Sequence, residues 1–186
     1  MRTIRLSILF ALFLGLSSPI FAAPETERRF SATLGYAGST VEADVGRDGG
    51  ENLTLGGWGL RGRMNLNDRW GIQVRYSVTD DDWSGGELTL DRVDLLALRQ
   101  WISPSARHRL YYSLGLTRLS LEDRIRAAGA LEDDAFGPAA GLGWEWGENR
   151  WAFSMDFVVS LADVTSALGD ESWVVGATIT GVTYRF

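Results

Sequence analysis

The sequence predicts one all-β domain: an eight-stranded antiparallel up-and-down β-barrel that crosses a membrane with its strands. Three observations predict it. The chain opens on a cleavable export signal. It closes on an alternating strand that ends in an aromatic residue. Between the two lie eight alternating segments, and no apolar run there is long enough for a transmembrane helix.

The start of the chain carries the first observation. Arg2 and Arg5 give a positive end, Ile8 to Leu16 is apolar, and Pro19-Ile20-Phe21-Ala22-Ala23 supplies the small residues of a cleavage site. Cleavage is expected after Ala22, because cleavage after Ala23 would leave Pro24 beside the cut. The chain then divides into a signal peptide, 1–22, and a barrel domain, 23–186. Losing Arg2 and Arg5 takes the formal charge from −6 to −8. A chain of that sign lacks the basic face that a nucleic-acid partner needs. There is no cysteine, so disulfides, thiol nucleophiles and thiolate metal sites are excluded. All eighteen basic residues are arginine.

The strands are expected at 29–42, 53–66, 70–79, 88–101, 109–121, 135–146, 151–162 and 173–186. Their period of two separates an apolar face from a small or polar one. In the third, Trp70, Ile72, Val74, Tyr76 and Val78 oppose Gly71, Gln73, Arg75, Ser77 and Thr79. The seventh sets Trp151, Phe153, Met155, Phe157, Val159 and Leu161 against Ala152, Ser154, Asp156 and Ser160, with Val158 out of pattern. In the sixth, glycines alternate with Pro138, Ala140, Leu142 and Trp144. The fourth alternates least cleanly, and a bulge is expected near 91–99. Connections alternate in kind. Those at 67–69, 102–108 and 147–150 are tight or fairly short, while 43–52, 80–87, 122–134 and 163–172 read as longer, mostly acidic loops. That count places both termini and the tight turns in the periplasm, with the long loops outside.

In a barrel the apolar face meets lipid and the polar face fills the lumen. Trp70, Trp101, Trp146, Trp151 and Phe186 stand at the tight-turn edge of the apolar faces, as an interfacial girdle would. Tyr36, Trp58, Tyr76 and Phe136 suit the opposite edge. A lumen of eight strands is wide enough only for side chains. Pairing Leu66 with Trp70 sets Arg61 opposite Arg75 and Arg63 opposite Gln73. Facing arginines repel unless carboxylates lie between them. Asp156 lies five residues above Trp151, as Arg75 lies five above Trp70, and Asp94 lies seven from Trp101, so a lumenal charge cluster of Arg61, Arg75, Asp94 and Asp156 is expected, with Arg63 and Glu145 nearer the periplasm. Its expected role is to plug the lumen and hold the register.

The ending Tyr184-Arg185-Phe186 resembles the terminal signal that the barrel-assembly machinery reads, with Tyr184 and Phe186 as its aromatic positions. Together with the export signal and eight strands, it makes the whole mature chain resemble the OmpA/OmpX-type family of small outer-membrane barrels. The resemblance implies a Gram-negative outer-membrane address, a monomer, and contacts with membrane lipids and lipopolysaccharide. It implies no single activity, because similar barrels include adhesins, serum-resistance factors, structural proteins and lipid A-modifying enzymes.

Enzymatic roles fit poorly. His108 is the sole histidine and falls in a tight-end turn between arginines. The lipid A deacylases of this architecture carry a His-x-Ser pair, but the residue two after His108 is Leu110. The palmitoyltransferases use a surface-side histidine, which this chain lacks. The run Asp80-Asp81-Asp82-Trp83-Ser84-Gly85 only partly matches a calcium loop, since its flanks read as strands. No cofactor or metal is expected. The expected function is a plugged envelope-structural or surface-interaction barrel. The alternative is a narrow channel or lateral conduit, and Pro138 bears on it. A proline inside a sheet removes a ladder hydrogen bond, though here it is expected only to mark the outer start of strand six.

Overall fold

The computed structural model describes residues 29–43, 52–83, 86–105, 107–125, 129–166 and 169–186, so the signal peptide lies outside the described residues. Eight strands follow in order: β1 Phe30–Ala43, β2 Asn52–Asn65, β3 Trp70–Trp83, β4 Gly86–Ile102, β5 His108–Ile125, β6 Gly129–Trp146, β7 Trp151–Ser166 and β8 Gly169–Arg185. Each pairs antiparallel with the next, and β8 returns to β1, closing the barrel.

The tight turns are built locally. Asn67 Oδ1 accepts the backbone N–H groups of Arg69 and Trp70, both at 2.9 Å, and so closes the β2–β3 turn. Asn149, at φ 56°, takes the left-handed conformation that the β6–β7 turn requires and that asparagine tolerates. These turns fix register. Arg61 stands opposite Arg75, and Arg63 opposite Gln73.

Three expectations need correction. First, the acidic stretches 80–87, 122–134 and 163–172 are mostly strand rather than loop. The ladder runs on through Asp80↔Thr89, Glu122↔Glu132 and Asp163↔Ser172. Beyond the lipid both faces of a hairpin are wet, so polar side chains do not end the backbone ladder. His108 is likewise the first residue of β5 rather than a turn residue.

Second, β4 carries no bulge. Its pairing with β3 and β5 is uninterrupted, and it alternates strictly: Val93, Leu95 and Ala97 face out, while Arg92, Asp94, Leu96 and Leu98 are buried. The irregular pattern arises because this strand sends leucines inward. A narrow lumen packed with side chains accepts leucine as readily as a polar residue.

Third, Pro138 lies in the interior of β6 rather than at its start. The β6–β7 ladder ends at Ala139↔Ser160, one residue short of it. A proline has no N–H to extend that ladder. The two backbones stay close nonetheless, since a Cβ built on Gly137 would lie 1.7 Å from the Leu161 carbonyl oxygen.

The lumen has two layers. Towards the tight turns it is charged and hydrogen-bonded. Towards the other end it is apolar, where Val41, Leu55, Leu90, Leu119 and Val175 are buried together.

Candidate functional site: a lumenal chain of ion pairs

The inward faces of seven strands, β2 to β8, converge on one network of ion pairs. It begins with Arg92, whose Nε donates to Asp94 Oδ1 at 2.8 Å. Arg75 bridges Asp94 (3.2 Å) and Asp156 (3.3 Å). Arg61 then bridges Asp156 (3.3 Å) and Glu145 (2.9 Å). Arg63 joins Glu145 at 2.7 Å, on the same oxygen as Arg61. The other Glu145 oxygen faces Arg185 at 3.5 Å and Arg109 at 3.8 Å. One carboxylate thus sits among four guanidinium groups.

Neutral residues fix the geometry. Gln73 accepts from Arg63 at 2.9 Å and donates to Asp156 at 3.0 Å. The Tyr111 hydroxyl accepts from Arg61, and its ring lies 4.0 Å beneath the Arg63 guanidinium. Thr33 and Thr183 accept from the other Arg61 nitrogen at 2.6 and 3.0 Å, and Thr183 donates to Ser154. Gly143 makes room for Tyr111, because a Cβ there would lie 2.1 Å from the ring.

The structure therefore brings together Arg61, Arg63, Arg75, Asp94, Glu145 and Asp156. Sequence reasoning missed Arg92, Arg109, Tyr111 and Arg185. Arg92 was legible, since it lies two residues before Asp94 on one strand face. Arg185 was too, because an outward Phe186 turns its neighbour inward. Tyr111 had no signal: an inward aromatic reads like a lipid-facing one.

On the outer face Trp70, Trp101, Trp146 and Trp151 are exposed at the tight-turn edge, and Phe186 is half-buried there. Arg99 lies over Trp70 (5.6 Å) and Trp101 (5.9 Å). Trp151, Tyr184 and Phe186 stack edge to face at 4.8 and 4.9 Å. The backbone N–H of Phe186 still donates to Phe30 at 2.9 Å, so the last residue stays tied to the wall. At the opposite edge Tyr36, Trp58 and Phe136 are exposed, and Trp58 packs edge-on to Tyr76 at 5.5 Å. His108 is exposed and stacks on Trp144 at 6.2 Å, away from the lumenal network.

A closed antiparallel barrel with an apolar outside and a charged inside is the form a chain takes when lipid surrounds it. The family model for the outer membrane protein beta-barrel domain matches residues 8–186. The chain belongs to that family. Among solved structures, this outer-membrane barrel is similar to Ail, the attachment invasion locus protein of Yersinia pestis. The two share 20% identity at a TM-score of 0.61, over 86% of this chain and 99% of that one. Ail has also been solved in complex with the heparin analogue sucrose octasulfate. Neisserial surface protein A is similar at 12% identity and a TM-score of 0.65, over 84% of this chain and 97% of that one. OprG of Pseudomonas aeruginosa is similar at 17% and 0.56, over 84% and 95%. Identities this low carry the fold alone, a small closed eight-stranded barrel, and the outer-membrane assignment rests on the family match. No relative was found among curated protein sequences.

Proposed function

We propose that this barrel is a closed, monomeric, non-enzymatic envelope protein whose strand ends present an interaction surface outside the cell. The termini and tight turns would face the periplasm. The observation that carries the reading is the filled bore. From Arg185 through Arg61 and Arg92 to Leu90 and Leu119, successive inward side chains are buried. Eight strands leave room for little else. Planar-bilayer recording of the refolded barrel is the test: a quiet membrane is expected, and steady conductance in the unmodified protein would sink the reading.

The surface role rests on strand length. Outward apolar side chains run to Val78, Val93, Leu116, Phe136 and Leu161, and the exposed Arg118–Asp134 pair (2.7 Å) follows. The strands continue to Trp83, Ile125 and Ser166, beyond where the apolar belt stops. These projecting hairpins are rich in acid, with Asp80, Asp81, Asp91, Glu122 and Asp134 among the described residues. Ail takes a sulfated ligand, but an acidic surface repels a polyanion. It fits a cationic partner, or divalent cations bridging to lipopolysaccharide phosphates. Grafting the hairpin ends onto another small barrel should transfer binding to host cells or serum proteins. A graft that transfers nothing would count against the role.

A second reading has its own observation. The β6–β7 ladder stops at Ala139↔Ser160, beside the apolar lumenal layer. A lateral conduit for small apolar solutes would use that seam. In that case Pro138→Val, which restores an N–H, should slow uptake of such solutes into liposomes.

A further inference from the structure

Charge does not balance inside the barrel. Among the described residues six arginines are buried there, Arg61, Arg63, Arg75, Arg92, Arg109 and Arg185, against the carboxylates of Asp94, Glu145 and Asp156. Among these buried groups, positive charges outnumber carboxylates by three, because the carboxylates are shared. Burying charge without compensation is costly. The surplus has a location, because Asp94 and Asp156 are consumed by Arg92, Arg75 and Arg61. Glu145 holds Arg61 and Arg63 at 2.9 and 2.7 Å on one oxygen, leaving the other for Arg109 and Arg185 at distances too long for strong bonds.

The donors there are also unused. Arg109 Nε and Nη1 and Arg185 Nε are buried and have no hydrogen-bond partner. A buried donor left unpaired points to a missing acceptor. Arg61, Arg75 and Arg92 deeper in also carry such donors, but each of those guanidinium groups holds a carboxylate at 3.3, 3.2 and 2.8 Å respectively. Exposure increases in this direction: Arg61 and Arg92 are 1% exposed, Arg185 5% and Arg109 7%. The site is therefore the part of the network nearest the tight-turn mouth.

We propose that Arg109 and Arg185, with Arg63 behind them, form an oxyanion-binding site inside the tight-turn mouth of the barrel. The ligand class is a small tetrahedral oxyanion, either free phosphate or a phospholipid headgroup phosphate reaching in from the rim. Guanidinium forks match such oxygens bidentately, and an anion here would offset the charge that Glu145 leaves uncompensated. The proposal does not depend on whether the barrel conducts or binds a surface partner.

The test uses the refolded full barrel with its arginine Nε–Hε resonances resolved by NMR. In octyl glucoside, which contains no phosphorus, inorganic phosphate should shift the Arg109 and Arg185 signals saturably and raise the unfolding midpoint. In nanodiscs of phosphatidylglycerol without free phosphate, the same two signals shift only if the lipid headgroup is the source. Arg109→Gln with Arg185→Gln should weaken phosphate by about tenfold or more. Arg109→Lys keeps the charge and tests the fork without unbalancing the fold, and should weaken it less. Arg118→Gln, on the outer face, should leave it unchanged. No response of either resonance in both media overturns the site. So does an affinity that survives the double substitution in a barrel whose gel mobility shows it folded.

Discussion

Arg61 and Arg75 stand directly opposite each other across the β2–β3 pair, and both reach the carboxylate of Asp156, each at 3.3 Å. Two like charges in register are tolerated because a third strand supplies the charge between them. Asp156 sits on β7, on the far wall of the lumen. The barrel must close for this pair to be stable.

Removing that carboxylate should therefore destabilise the whole barrel. Asp156→Asn leaves both arginines buried and facing, at a cost of about 3–5 kcal/mol. Urea unfolding in lipid vesicles, read by the gel mobility of folded and unfolded forms, measures it. Asp94→Asn should also destabilise, because it leaves buried Arg92 without its carboxylate while Arg75 keeps Asp156. An Asp156→Asn barrel as stable as the parent would mean that Asp156 does not separate the arginines.

Tyr111 contributes a hydroxyl and a ring, and the two separate by substitution. Tyr111→Phe removes one buried hydrogen-bond partner of Arg61 and should cost about 1–2 kcal/mol. Tyr111→Leu also removes the face beneath Arg63 and should cost more. Gly143→Ala should behave like Tyr111→Leu, because the added methyl displaces the ring. A Gly143→Ala barrel as stable as the parent would show that the ring has room to move.

Strand β4 permits a direct test of facing. Leu95→Cys should react with a membrane-partitioning maleimide, while Leu96→Cys should stay unreactive until the barrel unfolds. Reversed labelling would restore the bulge that the uneven alternation of this strand suggested.

The two aromatic edges predict depth. Single-tryptophan variants keeping only Trp70, Trp101, Trp146 or Trp151 should all be quenched most by lipids labelled near the headgroup. A tryptophan at the tight-turn edge quenched best from the bilayer centre would place the belt differently.

In β3 and β7 the face exposed to lipid was readable residue by residue, because lipid tolerates little but apolar side chains. In β4 it was not, because the lumen tolerates both Arg92 and Leu96. The tops of the hairpins were misread as loops for a related reason: above the lipid, polarity no longer distinguishes a strand from a turn.

The sequence by itself determined the number of strands, the outward faces of strands such as β3 and β7, and the local register of Arg61 against Arg75. Each follows from interactions within one strand or across one tight turn. The tertiary structure alone decided that Glu145 would collect four arginines, or that Tyr111 would lie beneath Arg63. Those meetings cross the lumen, and their heights depend on strand tilt and on the stagger accumulated until β8 pairs with β1. That stagger belongs to the closed ring, and no single segment of the chain encodes it.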